Sequence, residues 1–179
     1  MLRLVKDKRQ LFYLQNMKSS AQHLLLLITS LLDYHQLEAR KMDLHPVAFN
    51  PNELFEDIYT SFLPLAAKKG LKLDYIKSDT TRTNIKSDPF RLRQIIENLI
   101  SNALKFTAEG GITLKTYIEQ DTLIIRVADT GCGMSEEDQD KIFKEFTRLN
   151  NAQGQEGFGL GLSITKKLVE LLDGNITLN

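Results

Sequence analysis

The sequence holds a single cysteine, Cys132, so no disulfide can form within it, as suits a reducing compartment. Neither sign of charge dominates: Lys and Arg number 23, Asp and Glu also 23, and no overall field draws the chain to nucleic acid or anionic lipid. The short basic run of Lys6, Lys8 and Arg9 is interrupted by Asp7 and reads as a solvated helix face. Long apolar runs are missing too. None approaches a membrane span, and the N-terminus lacks a signal peptide's apolar core and cleavage site. The expectation is a soluble, cytoplasmic chain with no nucleic-acid partner and no membrane contact of its own, whether or not a larger parent is anchored in a membrane.

Gly and Pro are absent from Leu11 to Arg40, where Leu14, Met17, Ala21, Leu24, Ile28, Leu31 and His35 recur at alternating spacings of three and four. That is the seam of a helix packed against others. Leu25 and Leu32 widen it beyond a two-stranded stripe and suggest a four-helix bundle. No second long helix of matching pattern follows, so the face is expected to be covered by another copy or by a segment outside this chain, and a homodimer through this helix, or a higher assembly, is expected. His45-Pro46 then breaks the pattern, and residues 44–50 read as an extended connector, dividing the chain into 1–43 and 44–179.

In the second part, Asn50, Pro51 and Glu53 provide N-cap, first position and capping-box partner for a helix to about Lys69, stopped by Gly70. Pro64 is predicted to kink it or split off its last turn. LKLDYI (71–76) and TRTNIK (81–86) read as strands, and GITLKTYIEQ with DTLIIRVAD as an antiparallel hairpin turning near Gln120-Asp121. Ser135 caps a predicted helix, SEEDQDKIFKEF, with Ile142, Phe143 and Phe146 on one side. Arg148–Glu156 is polar and aperiodic and predicts a mobile loop, and the terminal NITLN predicts the start of a strand.

Chemistry concentrates at three places. Between Phe90 and Thr107 a helix capped by Asp88 and Pro89 carries an apolar stripe of Leu92, Ile96, Leu99 and Ala103. At the same spacings its other side carries Gln94, Asn98, Asn102 and Lys105, a row suited to a metal-bound polyphosphate. Asp129 ends a strand before Gly131 and Gly133; it can accept a hydrogen bond from a donor such as an adenine amino group while the glycines let the backbone approach the ring. Gly157, Phe158, Gly159, Leu160 and Gly161 run straight into a helix, LSITKKLVELL, so free N–H groups and a positive dipole end can face phosphate. No Gly-Lys-Ser/Thr follows and no strand precedes, which excludes a Walker loop and a dinucleotide fingerprint.

Taken together and in order, NLISNALKF, DTGCGM, IFKEF and GFGLGL resemble the N, G1, F and G2 boxes of the catalytic ATP-binding domain of sensor histidine kinases, over roughly Asn50 to the C-terminus. The N-terminal helix resembles the second helix of the dimerisation and phosphotransfer hairpin that precedes that domain. This implies a Bergerat-type ATP-binding fold: an α/β (α+β) two-layer sandwich with a mixed sheet, behind a long bundle helix. It implies ATP and Mg²⁺, with Asn102 as the magnesium ligand, Asn98 one turn earlier, Lys105 at the phosphates and Arg148 at the γ-phosphate. Asp129 would hold the adenine amino group, Gly131 and Gly133 would shape that pocket, and Phe106 would pack near the base. Gly157, Gly159 and Gly161, with Phe158 and Leu160 between them, would hinge over the triphosphate. The implied reaction is transfer of the γ-phosphoryl to a hairpin His and thence to an Asp of a response-regulator receiver domain.

ATP-hydrolysing relatives with this fold carry a carboxylate one turn before the magnesium Asn, where this chain has Asn98; Glu97 is turned away by about 100°. None of His23, His35 and His45 has the acidic residue that follows the family's phosphoacceptor. The first hairpin helix is therefore expected to lie outside this chain, which alone should not autophosphorylate. The family also continues past NITLN with further strand, and usually has Thr or Ser where Phe158 stands. A degenerate docking module and a hydrolytic ATPase of the same fold are the alternatives.

Overall fold

The computed structural model describes residues 7–77, 84–147 and 158–178, and it divides into two compact units, 1–42 and 43–179. The first unit is one helix, α1 (Lys8–Glu38), capped by Asp7, whose carboxylate accepts the Arg9 N–H at 2.8 Å. Its seam lies open to solvent: Met17, Leu24, Ile28 and Leu31 are exposed, as are Leu25 and Leu32 beside it. So much apolar surface in water marks a face made for packing.

In the second unit the connector is more than extended chain. Val47–Phe49 forms β1, which pairs antiparallel with β3 (Ile85–Ser87), Val47 opposite Ser87. Between them lie α2 (Pro51–Lys68) and β2 (Lys72–Lys77). Asn50 caps α2 through the Asn52 N–H at 3.0 Å. The helix continues past Pro64 to Lys68, so the expected loss of its last turn does not occur. Thr60 and Pro64 are both exposed, so the carbonyl that the missing proline N–H frees lies on the solvent side of the helix. Residues 81–83 of the second predicted strand lie outside the described residues.

Next in the chain is α3 (Pro89–Phe106), and after it β4 (Gly111–Glu119) and β5 (Thr122–Asp129) form the predicted hairpin. Gln120 and Asp121 both take positive φ, 46° and 63°, the twist a two-residue hairpin turn demands. The sheet order is β2-β4-β5, with β2 parallel to β4 and β4 antiparallel to β5. Parallel neighbours need a crossover, and α3 is part of it. Period-two alternation turns Ile112, Leu114 and Thr116 of β4 inward, where Leu73 of β2 joins Phe55 and Ile58 of α2 and Ile96 and Ile100 of α3 in one core. Each large side chain buried there is worth about 1.5–3 kcal/mol. The core face of α3 is Leu92, Ile95, Ile96, Ile100, Ala103 and Leu104; Leu99, expected in it, is only half-buried.

Two later expectations are corrected. The helix from Ser135 is a single turn, α4 (Glu136–Gln139), because the chain turns through Asp140–Phe146, with Ile142 buried, Phe143 half-buried and Phe146 exposed at φ 55°. Residues Asn175–Leu178 form no strand. The last element is α5 (Gly161–Leu171), which packs on α3 and buries Ser163, Ile164, Thr165 and Leu168. No helix of the described residues is long and apolar enough to cross a membrane.

Candidate functional site

The phase of α3 governs everything that projects from it, and Asp88 sets that phase. Its Oδ1 accepts the N–H groups of Phe90 and Arg91 at 3.0 and 3.1 Å, while Oδ2 accepts the His45 N–H at 2.9 Å. Burial pushes the Asp88 carboxyl up, but the three backbone donors and the Arg91 charge outweigh it and hold the pKa below its ordinary value.

Along α3 the polar row divides by partner. Asn98 is committed to α5: its Nδ2 donates to Thr165 Oγ1 at 2.7 Å, and a Cβ on Gly161 would lie 2.5 Å from its Oδ1. Asn102, one turn on, is half-buried, and among the described residues no hydrogen bond engages its carboxamide. Lys105 lies in the last turn with Nζ 4.8 Å from the centre of the Phe106 ring. Glu97 turns to Arg93, whose Nη1 donates to its Oε1 at 3.5 Å, away from the row.

The end of α3 meets the turn after β5. Gly131 sits against the Phe106 backbone, where a Cβ would come 2.7 Å from the Phe106 carbonyl oxygen and 2.7 Å from Asp129 Oδ1. That same Oδ1 accepts the Gly131 N–H at 2.9 Å, which orients the exposed Asp129 carboxylate, and no described residue engages Oδ2. Thr130 locks the turn to the α3–β4 loop, donating to the Glu109 carbonyl at 2.9 Å and accepting the Gly111 N–H at 3.0 Å. Gly133 takes φ 64°, and a Cβ there would meet nothing within 4 Å.

At the other end, Gly159 (φ 73°) packs on the backbone of Phe146 and Thr147, a Cβ falling 2.8 Å from the Thr147 carbonyl oxygen. Leu160 is 2% exposed, so it serves as packing, not as a side chain for a ligand, whereas Phe158 is 41% exposed. No side chain caps the first turn of α5. Arg148 and Gly157 lie outside the described residues.

Asn98 and Phe106 therefore anchor two ends of the site-bearing part of α3, about 12 Å apart along the axis at 1.5 Å rise per residue. One end offers an uncapped helix start beside two carboxamides, the other an oriented carboxylate over a glycine turn. Among the described residues no group of three His, Cys, Asp or Glu could hold a metal. Carboxamide oxygens instead suit a hard cation such as Mg²⁺ that takes its other ligands from phosphates and water. The residues fit a magnesium nucleotide, and Gly131 lets the Asp129 turn sit directly against the Phe106 backbone, where any Cβ would collide.

Thr165 and Thr130 were not picked out from sequence. Thr165 carried a signal, a hydroxyl amid the buried stripe of Ile164 and Leu168.

Known proteins resemble this chain in sequence and in fold. Residues 87–179 match the family described as histidine kinase-, DNA gyrase B-, and HSP90-like ATPase, and the chain belongs to that family. The matched stretch lies within the 43–179 unit. The sensor protein GacS of Pseudomonas syringae pv. syringae is 39% identical over 175 residues, covering 94% of this chain and 19% of GacS. The sensor histidine kinase RcsC of Salmonella typhimurium is 35% identical over 165 residues, covering 91% of this chain and 17% of RcsC. Among solved structures, that of full-length ShkA in complex with AMPPNP superposes with a TM-score of 0.81 at 30% identity, covering 94% of this chain and 35% of ShkA. The chain thus spans about a fifth of the length of the curated relatives it matches.

Proposed function

We propose that this chain is the ATP-binding part of a sensor histidine kinase that transfers the γ-phosphoryl of ATP to a His on a helical hairpin, and from there to an Asp of a response-regulator receiver domain. ATP is the donor; the ShkA likeness, a protein solved with AMPPNP, supports a nucleotide here. Asp129 accepts the adenine amino group through the carboxylate oxygen that Gly131 does not engage, with Gly131 and Gly133 shaping that pocket and Phe106 beside the base. Asn102 ligates Mg²⁺, Lys105 reaches the phosphates, and Gly157, Phe158, Gly159 and Gly161 border them with Arg148. When bound, Mg²⁺ supplies neutralisation of the charge that develops on the phosphates.

The observation that carries this reading is the pairing of Asn98 with Thr165 beside an uncommitted Asn102. A hydrolase needs a carboxylate at the first of these positions to deprotonate water, and an amide cannot do it. Glu97, the nearest carboxylate in sequence, is turned to Arg93. ATP therefore waits for a protein nucleophile. The acceptor belongs to a hairpin helix that none of His23, His35 and His45 represents, so this chain alone does not autophosphorylate. We assign α1 as the second helix of that hairpin, the kinase as a homodimer through it, and the site of action as the cytoplasm. Titration of a fluorescent ATP analogue tests the assignment. Tight binding that needs Mg²⁺ and is weakened at least tenfold in Asn102→Ala is the expected result; no binding by the wild-type chain or by a longer form carrying the complete hairpin would favour a docking module.

A further inference from the structure

Thr165 stands in the buried stripe of α5, 1% exposed, between Ile164 and Leu168. A valine would fill nearly the same volume without a hydroxyl to satisfy, and a buried hydroxyl is costly unless bonded. Helical threonines commonly bond back to their own helix. Here the Thr165 oxygen instead accepts the Asn98 Nδ2 at 2.7 Å, across the α3–α5 seam. That bond commits the amide nitrogen to α5, and because the carboxamide is planar it also aims the oxygen. Asn98 Oδ1 lies over Gly161, where a Cβ would fall 2.5 Å from it, and Gly161 is exposed at the uncapped start of α5. Asn102 follows on the same face of α3 one turn later.

Resting on the nucleotide reading above, we infer that Thr165 is a positioning residue: it orients Asn98 so that an acceptor oxygen, and not an N–H, meets the cation of a magnesium nucleotide at the mouth between α3 and α5. With the hydroxyl gone, the amide can turn its NH₂ toward the cation, and the metal-dependent part of nucleotide affinity falls. Affinity that does not depend on metal stays the same.

The experiment titrates the full chain with a fluorescent ATP analogue in Mg²⁺ and in EDTA and reads the ratio of the two affinities. Thr165→Val lowers that ratio about fivefold, the size of one net hydrogen bond, while Thr165→Ser, which keeps the hydroxyl, restores it. In an Asn98→Ala background, adding Thr165→Val changes the ratio no further, because Thr165 acts through Asn98. Should Thr165→Val fail to fold by circular dichroism, Thr165→Cys, similar in size with a weakly accepting sulfur, carries the same expectation. A folded variant with the wild-type ratio overturns the inference, as does one that loses affinity equally with and without metal. A wild-type chain that binds no analogue in either condition overturns the nucleotide reading itself and this inference with it, a result separable from a wild type that binds and a variant that matches it.

Discussion

The Phe106 carbonyl lies against Gly131 so closely that a Cβ on residue 131 would come 2.7 Å from its oxygen. This contact joins the last turn of the helix bearing Asn102 and Lys105 to the turn bearing Asp129. Gly131→Ala must push the two backbones apart, since the Phe106 carbonyl is backbone and cannot swing aside as the nearby Asp129 carboxylate can. Overpacking of this kind costs about 1–3 kcal/mol, and nucleotide affinity is expected to fall about tenfold or more. Thermal unfolding and analogue titration on the same preparation check both; an alanine variant matching the wild type in each would show that the contact does not hold the site.

Asp88 predicts a pH dependence. Its folded pKa is held below the unfolded value, so its contribution to stability is fully present above the unfolded carboxylate pKa of about 3.9 and disappears as pH falls through the folded pKa. Asp88→Ala removes the cap of α3 and leaves the His45 N–H without its acceptor, at a cost of about 2–4 kcal/mol near neutral pH. Asp88→Asn keeps an acceptor oxygen but no charge, so it loses less and flattens the acid limb. Urea midpoints measured from pH 3 to pH 7 decide this. An unchanged acid limb in Asp88→Asn would assign the acid sensitivity to other carboxylates.

The exposed seam of α1 predicts self-association. Met17, Leu24, Ile28 and Leu31 would be covered by a second copy, and Leu24→Glu with Leu31→Glu places two charges where a packed seam tolerates none. Sedimentation equilibrium should give a dimer for the wild type and a monomer for the double variant, with nucleotide affinity unchanged in the monomer. A wild-type monomer at all loading concentrations would refute the dimer.

What could be read from sequence was what local chemistry dictates. The caps of α2 and α3 are short-range signals, and Asn50 and Asp88 make the predicted bonds. The hairpin turn at Gln120-Asp121 and the alternation of Ile112, Leu114 and Thr116 are likewise local. Where a residue's state depends on a distant partner, the reading failed or stayed silent. Val47–Phe49 becomes a strand only because Ile85–Ser87 lies alongside. The chain after Gln139 has a helical pattern, yet it turns so that Ile142 is buried and Gly159 rests on the Phe146–Thr147 backbone. On α3, Leu99 fits the stripe as well as Ile100 does, and packing alone places Ile100 in the core. Of the site, Asn98, Asn102, Asp129 and the glycines were legible as residue types at helix and turn positions, whereas the hydroxyl of Thr165 in an apolar stripe gave no sign of its partner Asn98, 67 positions away.

The central claim is that Asp129 and the Gly131 turn read an adenine whose phosphates lie along α3. Base discrimination tests it most directly, because adenine presents an amino donor where guanine presents a carbonyl acceptor. Calorimetric titration of the wild-type chain with Mg²⁺ and AMPPNP, and separately with GMPPNP, should show saturable binding of the adenine nucleotide at least tenfold tighter than the guanine one, with that preference lost in Asp129→Asn. Equal binding of both nucleotides, or a preference untouched by Asp129→Asn, would contradict it.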